Sequence, residues 1–293
     1  MALRTLGWAL PVWAALVVPT AAADLNLLKG ADTTADDALK VETKVFLMSD
    51  YIYRGVSLSQ RKPSGAVSGE VEWHGFYVGT NIQSVDLPTQ PAAEITWSAG
   101  YRWKMAGFDL DLGAQYFWYP GEILADGQPA TSYVEYALDV EREIITDQVT
   151  LTGLLAYSPN VSGTGAWGAY AEAGVEISLP VFLTDVEWQL LAGVGYWRFG
   201  NISPDLGGFP LPAYATWHVG LEFTFQKHFI LNLTYSDTNL SKEDCFVFTG
   251  DPLATPGGIP NPISNPDGLR SRLCGAALVG TLSVKFDLAD LKK

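Results

Sequence analysis

The sequence is short of basic side chains. Its 18 lysines and arginines stand against 32 aspartates and glutamates, which gives a formal net charge of −14 at neutral pH. Because a nucleic-acid-binding protein needs lysine and arginine to neutralise phosphates, this composition excludes nucleic acid as a partner. With three histidines and two cysteines, the chain has few of the side chains that commonly bind a transition metal. The phosphate-binding, zinc-protease, redox and dinucleotide motifs are missing, and no Ser–His pair is evident. We therefore expect no metal, no cofactor and no enzymatic activity.

The sequence also lacks a transmembrane helix after its first residues, since no later segment contains about 18 consecutive apolar residues. Charged residues make up only 17% of the chain, whereas it contains 10 tryptophans, 13 tyrosines and 13 phenylalanines. Abundant aromatics and few charges without a long apolar run are typical of membrane β-barrels, in which only alternate residues of a strand face lipid.

The N-terminus has the features of a secretory signal peptide. Arg4 supplies the positive charge, residues 6–18 are apolar, and small residues precede a predicted cleavage after Ala23. A membrane anchor is the alternative interpretation. The predicted organisation is a signal peptide at 1–23, a polar periplasmic lead-in at 24–40, a β-barrel at 41–286 and a C-terminal tail at 287–293.

Alternation with a period of two residues is the strongest signal in the remaining sequence. In residues 94–103, apolar residues such as Trp97 and Tyr101 alternate with polar residues such as Glu94 and Arg102. Such alternation predicts strands with one apolar and one polar face. It recurs in twelve segments, at residues 41–55, 66–73, 76–85, 93–104, 107–119, 131–142, 147–157, 166–178, 186–198, 213–225, 228–236 and 275–286.

Short and long connections alternate between these segments. Residues 74–75 and 226–227 are examples of the short turns, and residues 120–130 and 237–274 of the longer loops. Outer-membrane barrels combine short periplasmic turns with longer extracellular loops. The sequence therefore predicts an all-β fold, a single transmembrane antiparallel up-and-down β-barrel of about 12 strands in the outer membrane of a Gram-negative bacterium. A β-sandwich, whose strands also alternate, is the alternative fold.

The two cysteines, Cys245 and Cys274, both fall in the last and longest predicted loop. In an exported protein such a pair is expected to form a disulfide, which would close a loop of about 30 residues.

The first strand and its loop carry a family resemblance. Residues 49–57, with the sequence SDYIYRGVS, are followed by Gln60, Lys62 and Pro63, and together they resemble the opening motif of the TorF family of proposed porins. Weaker matches continue along the chain, at residues 75–79, Glu94, Tyr116, 119–121, Tyr133, Glu135, Tyr170, Glu172 and 235–238. The resemblance implies an outer-membrane barrel that forms a pore. One departure is the tail after Phe286, because outer-membrane barrels commonly end on an aromatic residue.

The predicted polar face contains more carboxylates than basic groups, and rings of carboxylates favour cations in a pore. We therefore expect a porin-like channel for passive diffusion of ions or small solutes, with a preference for cations. The alternative is a non-conducting barrel, its charges paired across the lumen, that binds a partner or stiffens the envelope through its outer loops. The candidate pore-lining residues are Asp50, Arg54, Arg102, Asp109, Asp111, Glu135, Glu172 and Arg198.

The predicted outward face carries tryptophan and tyrosine near the strand ends. Because this face would contact the membrane, outer-membrane lipids are expected partners. The other expected partners are the small solutes or ions that would pass through the channel. These aromatics are typical of the girdles that lie at the two membrane interfaces, and platforms for stacking sugars are the alternative. The residues are Trp73, Trp97, Trp103, Tyr116, Trp118, Trp188, Tyr196 and Trp217.

Overall fold

A computed structural model describes residues 39–180, 186–251, 254 and 269–287. The predicted signal peptide, the lead-in up to residue 38 and the tail after residue 287 lie outside the described residues. The strands are β1 (Lys40–Met48), β2 (Ile52–Tyr53), β3 (Val56–Ser57), β4 (Ser64–Trp73), β5 (Phe76–Gln83), β6 (Glu94–Met105), β7 (Phe108–Trp118), β8 (Tyr133–Ile145), β9 (Val149–Ser158), β10 (Gly168–Leu179), β11 (Val186–Phe199), β12 (Tyr214–Phe225), β13 (Phe229–Thr238) and β14 (Ala277–Asp287).

Twelve of these strands form one closed antiparallel barrel, in the order β1-β14-β13-β12-β11-β10-β9-β8-β7-β6-β5-β4. Strand β1 closes it, since Lys44 lies opposite Lys285 of β14 on one side and opposite Ser68 of β4 on the other. The predicted barrel is therefore confirmed, and the alternative of two stacked sheets is wrong. Each of the twelve described barrel strands is paired with a neighbour on both sides, so the closed sheet has no edge strand.

The first strand is shorter than predicted. The alternation over residues 41–55 predicts one long strand, but β1 ends at Met48. The chain then turns back into the barrel, where β2 and β3 form a two-stranded hairpin around Arg54 and Gly55. Gly55 has a φ of +84°, and a Cβ at this position would lie 2.2 Å from Cγ2 of Thr238. Only glycine fits this turn without displacing the wall of the barrel.

Side chains alternate between the lumen and the outside, as predicted. Trp97 is 44% exposed on the outer face of β6, whereas Glu94 at the start of the same strand is 1% exposed. In the described barrel strands, charged side chains on the outward face lie only near strand ends, and they are Arg142, Arg198 and Asp237. The barrel thus has an apolar exterior and a polar lumen.

The two ends of the barrel differ. At one end, here called the turn end, strands such as β4 and β5 are joined by tight turns, here at His74 and Gly75. The other end, the loop end, carries the long connections and the helix α1 (Lys242–Thr249). Ser241 caps α1 by accepting a hydrogen bond from the Asp244 backbone N–H.

The predicted disulfide is present between Cys245 of α1 and Cys274, 29 residues further along the chain. It fastens α1 to the segment that precedes β14. Phe248 of α1 is fully buried, with ring centroids 5.3 Å from Phe199 and 5.4 Å from Tyr214. Among the described residues, no helix is long and apolar enough to cross a membrane.

Candidate functional site

The loop after β1 folds into the loop end of the barrel. Residues 51–59, here called the plug, are all buried. Asp50 anchors them by accepting hydrogen bonds from Ser57 Oγ at 2.6 Å and Ser59 Oγ at 2.8 Å. The Tyr51 carbonyl accepts from the Leu58 backbone N–H at 2.8 Å. The motif that carries the family resemblance is therefore the segment that fills this part of the lumen.

Arg54 at the tip of the plug binds the wall of the barrel. Its guanidinium donates two hydrogen bonds to the Glu135 carboxylate, at 2.9 Å and 2.7 Å. Its Cζ atom lies 4.1 Å from the ring centroid of Tyr170 and 4.4 Å from that of Trp197. We call Glu135, Tyr170 and Trp197 the cage. Burial disfavours the charged guanidinium, but the interactions with Glu135, Tyr53 and Tyr170 together raise the pKa of Arg54 above its usual value.

The cage belongs to three strands of the wall, β8, β10 and β11, and its rings are held in place by their neighbours. The Tyr170 hydroxyl donates a hydrogen bond to Glu172 on the same strand. A Cβ on Gly195 would lie 2.1 Å from the Tyr170 hydroxyl oxygen and 2.6 Å from its Cζ, so the absence of a side chain there makes room for the ring. The Trp197 ring makes an edge contact with Tyr170 at 5.9 Å.

A second cluster surrounds Arg102 of β6. Its Nε donates to Asp111 at 2.9 Å, and its Nη1 donates to Glu72 at 2.9 Å and to Glu70 at 2.5 Å. The guanidinium also lies 3.9 Å from the ring centroid of Tyr77. One arginine therefore neutralises carboxylates from two neighbouring regions of the sheet, β4 and β7.

Buried side chains pack the described part of the loop end, and a cavity lies beneath the plug. Buried aromatic side chains surround the plug, and they are Phe117, Tyr119, Tyr133, Tyr170, Trp197, Phe199, Tyr214 and Phe248. Below them is a cavity of about 240 Å³. Its lining combines apolar with polar side chains, among them Phe46, Met48, Ile52, His218, Glu222, Asn232, Thr281 and Lys285. A smaller cavity of about 40 Å³ shares Lys44 with it.

The structure brings most of the predicted pore residues to the lumen, in separate groups. Arg54 pairs with Glu135, and Arg102 pairs with Asp111. Asp109 lies apart at the turn end, where its side chain is 46% exposed and pairs with Lys104 at 3.0 Å. Asp50 faces inward, where it accepts hydrogen bonds from the plug. Glu172 also faces inward, beside Tyr170 of the cage.

The prediction for Arg198 is wrong. Arg198 is exposed and shares the outward face of β11 with Val194 and Tyr196, while Trp197 takes the inward position beside it. The expectation that Asp50 and Arg54 lie on one strand is also wrong, because the chain leaves the wall after Met48. The residues that the prediction missed are aromatic, above all Tyr170 and Trp197. The same alternation that gives outward Tyr196 places Trp197 inward, so the pattern itself contained the signal.

No metal site is evident in the part of the chain that the structure describes, since it contains no group of three or more His, Cys, Asp or Glu side chains suitably placed.

Solved barrels align with most of the chain at low identity. The KdgM porin is 10% identical over 84% of this chain and 98% of its own, with a TM-score of 0.45. An outer membrane channel from Pseudomonas putida F1 is 10% identical over 88% of this chain and 100% of its own, with a TM-score of 0.41. LpxR from Salmonella typhimurium is 8% identical over 84% and 99%, with a TM-score of 0.37. No curated protein matches the sequence.

A family match covers most of the chain. Residues 32–253 match the family described as bacterial protein of unknown function (Gcw_chp). The matched region includes the plug, the cage and the Arg102 cluster. The chain therefore belongs to the Gcw_chp family of bacterial proteins.

Proposed function

We propose that this chain is an outer-membrane barrel of a Gram-negative bacterium, with its turn end in the periplasm and its loop end outside the cell. The apolar exterior supports this proposal. Large apolar side chains face outward in the middle of the strands, for example Leu112 at 53% exposed and Val194 at 63%. In water such a surface would be costly, whereas a bilayer requires it.

Exposed aromatic side chains near both ends of the strands support the same placement. Such girdles lie at the two membrane interfaces, and we favour this role over sugar stacking because the residues occupy both ends of the barrel. At the turn end they are Trp73, Phe76, Phe225, Phe229 and Phe286. At the loop end they are Trp97, Tyr116, Trp118, Tyr157, Tyr196, Trp217 and Tyr235.

The function that fits this architecture best is a porin-like channel for ions or small solutes. The observation that carries it is the cavity of about 240 Å³ inside a closed barrel of twelve strands. A lumen without a transport role could be filled with side chains, as it is in small barrels. Because the plug closes the loop end, we expect a small conductance that is governed by the plug.

The charges of the lumen favour cations. In the described strands the inward basic side chains are Lys40, Lys44, Arg102, Lys104 and Lys285. The inward carboxylates are more numerous and include Glu42, Glu70, Glu72, Glu94, Asp109, Asp111, Glu135, Asp139, Glu172, Glu176 and Glu222. Carboxylates in excess attract cations into a pore.

A non-conducting barrel that acts through its outer loops is the second candidate. The buried plug favours it, because the aromatic side chains around residues 51–59 leave the loop end packed. On this hypothesis the plug is a permanent part of the fold, and α1 with its disulfide presents a stable outer surface.

Conductance in planar bilayers tests the proposed channel. We expect channels with reversal potentials that favour cations across a potassium chloride gradient. Thr281 lines the cavity, whereas the next residue, Leu282, is 47% exposed on the outer face. Thr281→Trp should lower the conductance by filling the cavity, and the matched control Leu282→Trp should leave it unchanged. Anion preference would contradict the proposed selectivity. Equal effects of the two substitutions would contradict the cavity as the path of the current. Folded protein that never conducts would favour the second candidate.

A further inference from the structure

We propose that the cage formed by Glu135, Tyr170 and Trp197 is a binding site for organic cations of the guanidinium or alkylammonium class, and that Arg54 occupies it as an internal ligand. This inference rests on the proposed channel function and names the solute class that the channel would recognise. It concerns a site that becomes available to a solute when the plug withdraws.

The cage has the chemistry of a cation receptor. Glu135 receives the guanidinium through two parallel hydrogen bonds, the geometry in which a carboxylate binds this group most strongly. Tyr170 and Trp197 present their rings to the same guanidinium at 4.1 Å and 4.4 Å. Aromatic rings around a cation are also the means by which proteins recognise quaternary ammonium groups. All three side chains are buried, so solvent does not weaken these contacts.

The receptor and its present ligand belong to different parts of the fold. The cage residues lie on β8, β10 and β11, strands that are each paired on both sides in the barrel. Arg54 belongs to the plug, which the chain attaches through a loop. The hydrogen bonds to the Glu135 carboxylate come from two plug residues, Arg54 and, at 3.4 Å, Tyr53. Withdrawal of the plug would leave a buried carboxylate facing two rings, and a buried carboxylate requires a new partner.

The identity of residue 54 is not explained by the turn in which it lies. Arg54 and Gly55 are the two central residues of the β2–β3 hairpin, with φ values of +43° and +84°. Two positive φ values correspond to a turn that favours asparagine, aspartate or glycine at both positions. Arginine is disfavoured by this backbone conformation, so its presence is better explained by the group that its side chain presents to the cage.

Thermal unfolding in detergent tests the site without requiring conductance. The variant Arg54→Ala empties the cage, and Arg54→Gln serves the same purpose if the first variant does not fold. We expect guanidinium chloride, methylguanidinium or tetramethylammonium at about 1–20 mM to raise the Tm of Arg54→Ala saturably, as a ligand of millimolar affinity would. Potassium chloride at equal ionic strength is the control. The wild type, with Arg54 in the cage, and the double variant Arg54→Ala/Glu135→Gln should show no such rise.

The same cations should block the current through Arg54→Ala channels, halving it at a concentration near the dissociation constant. Equal Tm responses in the wild type, Arg54→Ala and the double variant would overturn the inferred site, and so would the absence of a response in both Arg54→Ala and Arg54→Gln. A channel that conducts but shows neither block nor a Tm response would retain the proposed function and refute the cage. A Tm response confined to the emptied cage, in a protein that never conducts, would support the site and refute the channel.

Discussion

Replacing Arg102 with alanine should destabilise the barrel severely. The substitution removes the cation that serves Glu70, Glu72 and Asp111, whose side chains are 18%, 6% and 9% exposed. Glu72 keeps a contact to Lys40 at 3.2 Å, and Asp111 keeps the Tyr77 hydroxyl at 2.9 Å. Removing one partner of a buried ion pair costs about 3–5 kcal/mol, because the charge that remains is not compensated. We expect a loss within this range in the free energy of unfolding of Arg102→Ala.

The barrel provides a matched control two residues away. Lys104 pairs with Asp109 at 3.0 Å, but the side chains are 57% and 46% exposed. An exposed pair contributes about 0–1 kcal/mol, so Lys104→Ala should be nearly neutral. Both substitutions delete a cation that pairs with a carboxylate on β7, and they differ in the burial of the partners.

Urea unfolding in phospholipid vesicles, followed by tryptophan fluorescence, measures both variants. Adding Glu70→Gln to Arg102→Ala should recover part of the loss, because one of the uncompensated charges is removed. The reasoning would be refuted if Arg102→Ala lost no more stability than Lys104→Ala, or if Glu70→Gln deepened the loss.

Two further predictions concern the loop end. Replacing Cys245 and Cys274 together with serine removes a cross-link over 29 residues. Loss of the loop-closure entropy should lower the free energy of unfolding by about 3–4 kcal/mol. Limited proteolysis should cleave the last loop faster than in the wild type, and an equal rate of cleavage would contradict this role. Gly195→Ala should displace the Tyr170 ring, since the new Cβ would lie 2.6 Å from the ring Cζ, at a cost of about 1–3 kcal/mol. Gly69→Ala is its control, because no neighbouring atom lies within 4 Å of a Cβ there; equal losses in the two variants would contradict the packing argument.

The strands and their faces were predictable because their signal is local. In β6, Trp97 and Arg102 occupy opposite faces as the alternation requires, and the outcome does not depend on distant residues. The prediction of a continuous strand failed at residues 49–55. A strand of the barrel wall and a hairpin packed inside the lumen can have the same pattern of apolar and aromatic residues, so the alternation does not distinguish them. Gly55 is the one local signal for the reversal, and it is weak because the residue before it, Arg54, is disfavoured at a positive φ.

The cage could not be predicted from spacing. Arg54, Glu135, Tyr170 and Trp197 are far apart in the sequence, and only closure of the barrel with the plug inside brings them together. Arg198 shows a different kind of error. Its charge suggested the lumen, but its position relative to Tyr196 places it outside, near the loop end, where an interfacial arginine is tolerated.

The stability cost of an arginine on the outward face of the barrel tests most directly whether the barrel lies in a membrane. Leu112 lies in the middle of this strand and is 53% exposed, whereas Met105, at the turn end of β6, is 60% exposed. If these faces contact lipid, Leu112→Arg should cost about 2–4 kcal/mol in phospholipid vesicles and Met105→Arg about 0–1 kcal/mol. The two substitutions are compared by urea unfolding. A penalty at Leu112 no greater than the penalty at Met105 would show that this exterior does not lie in a bilayer.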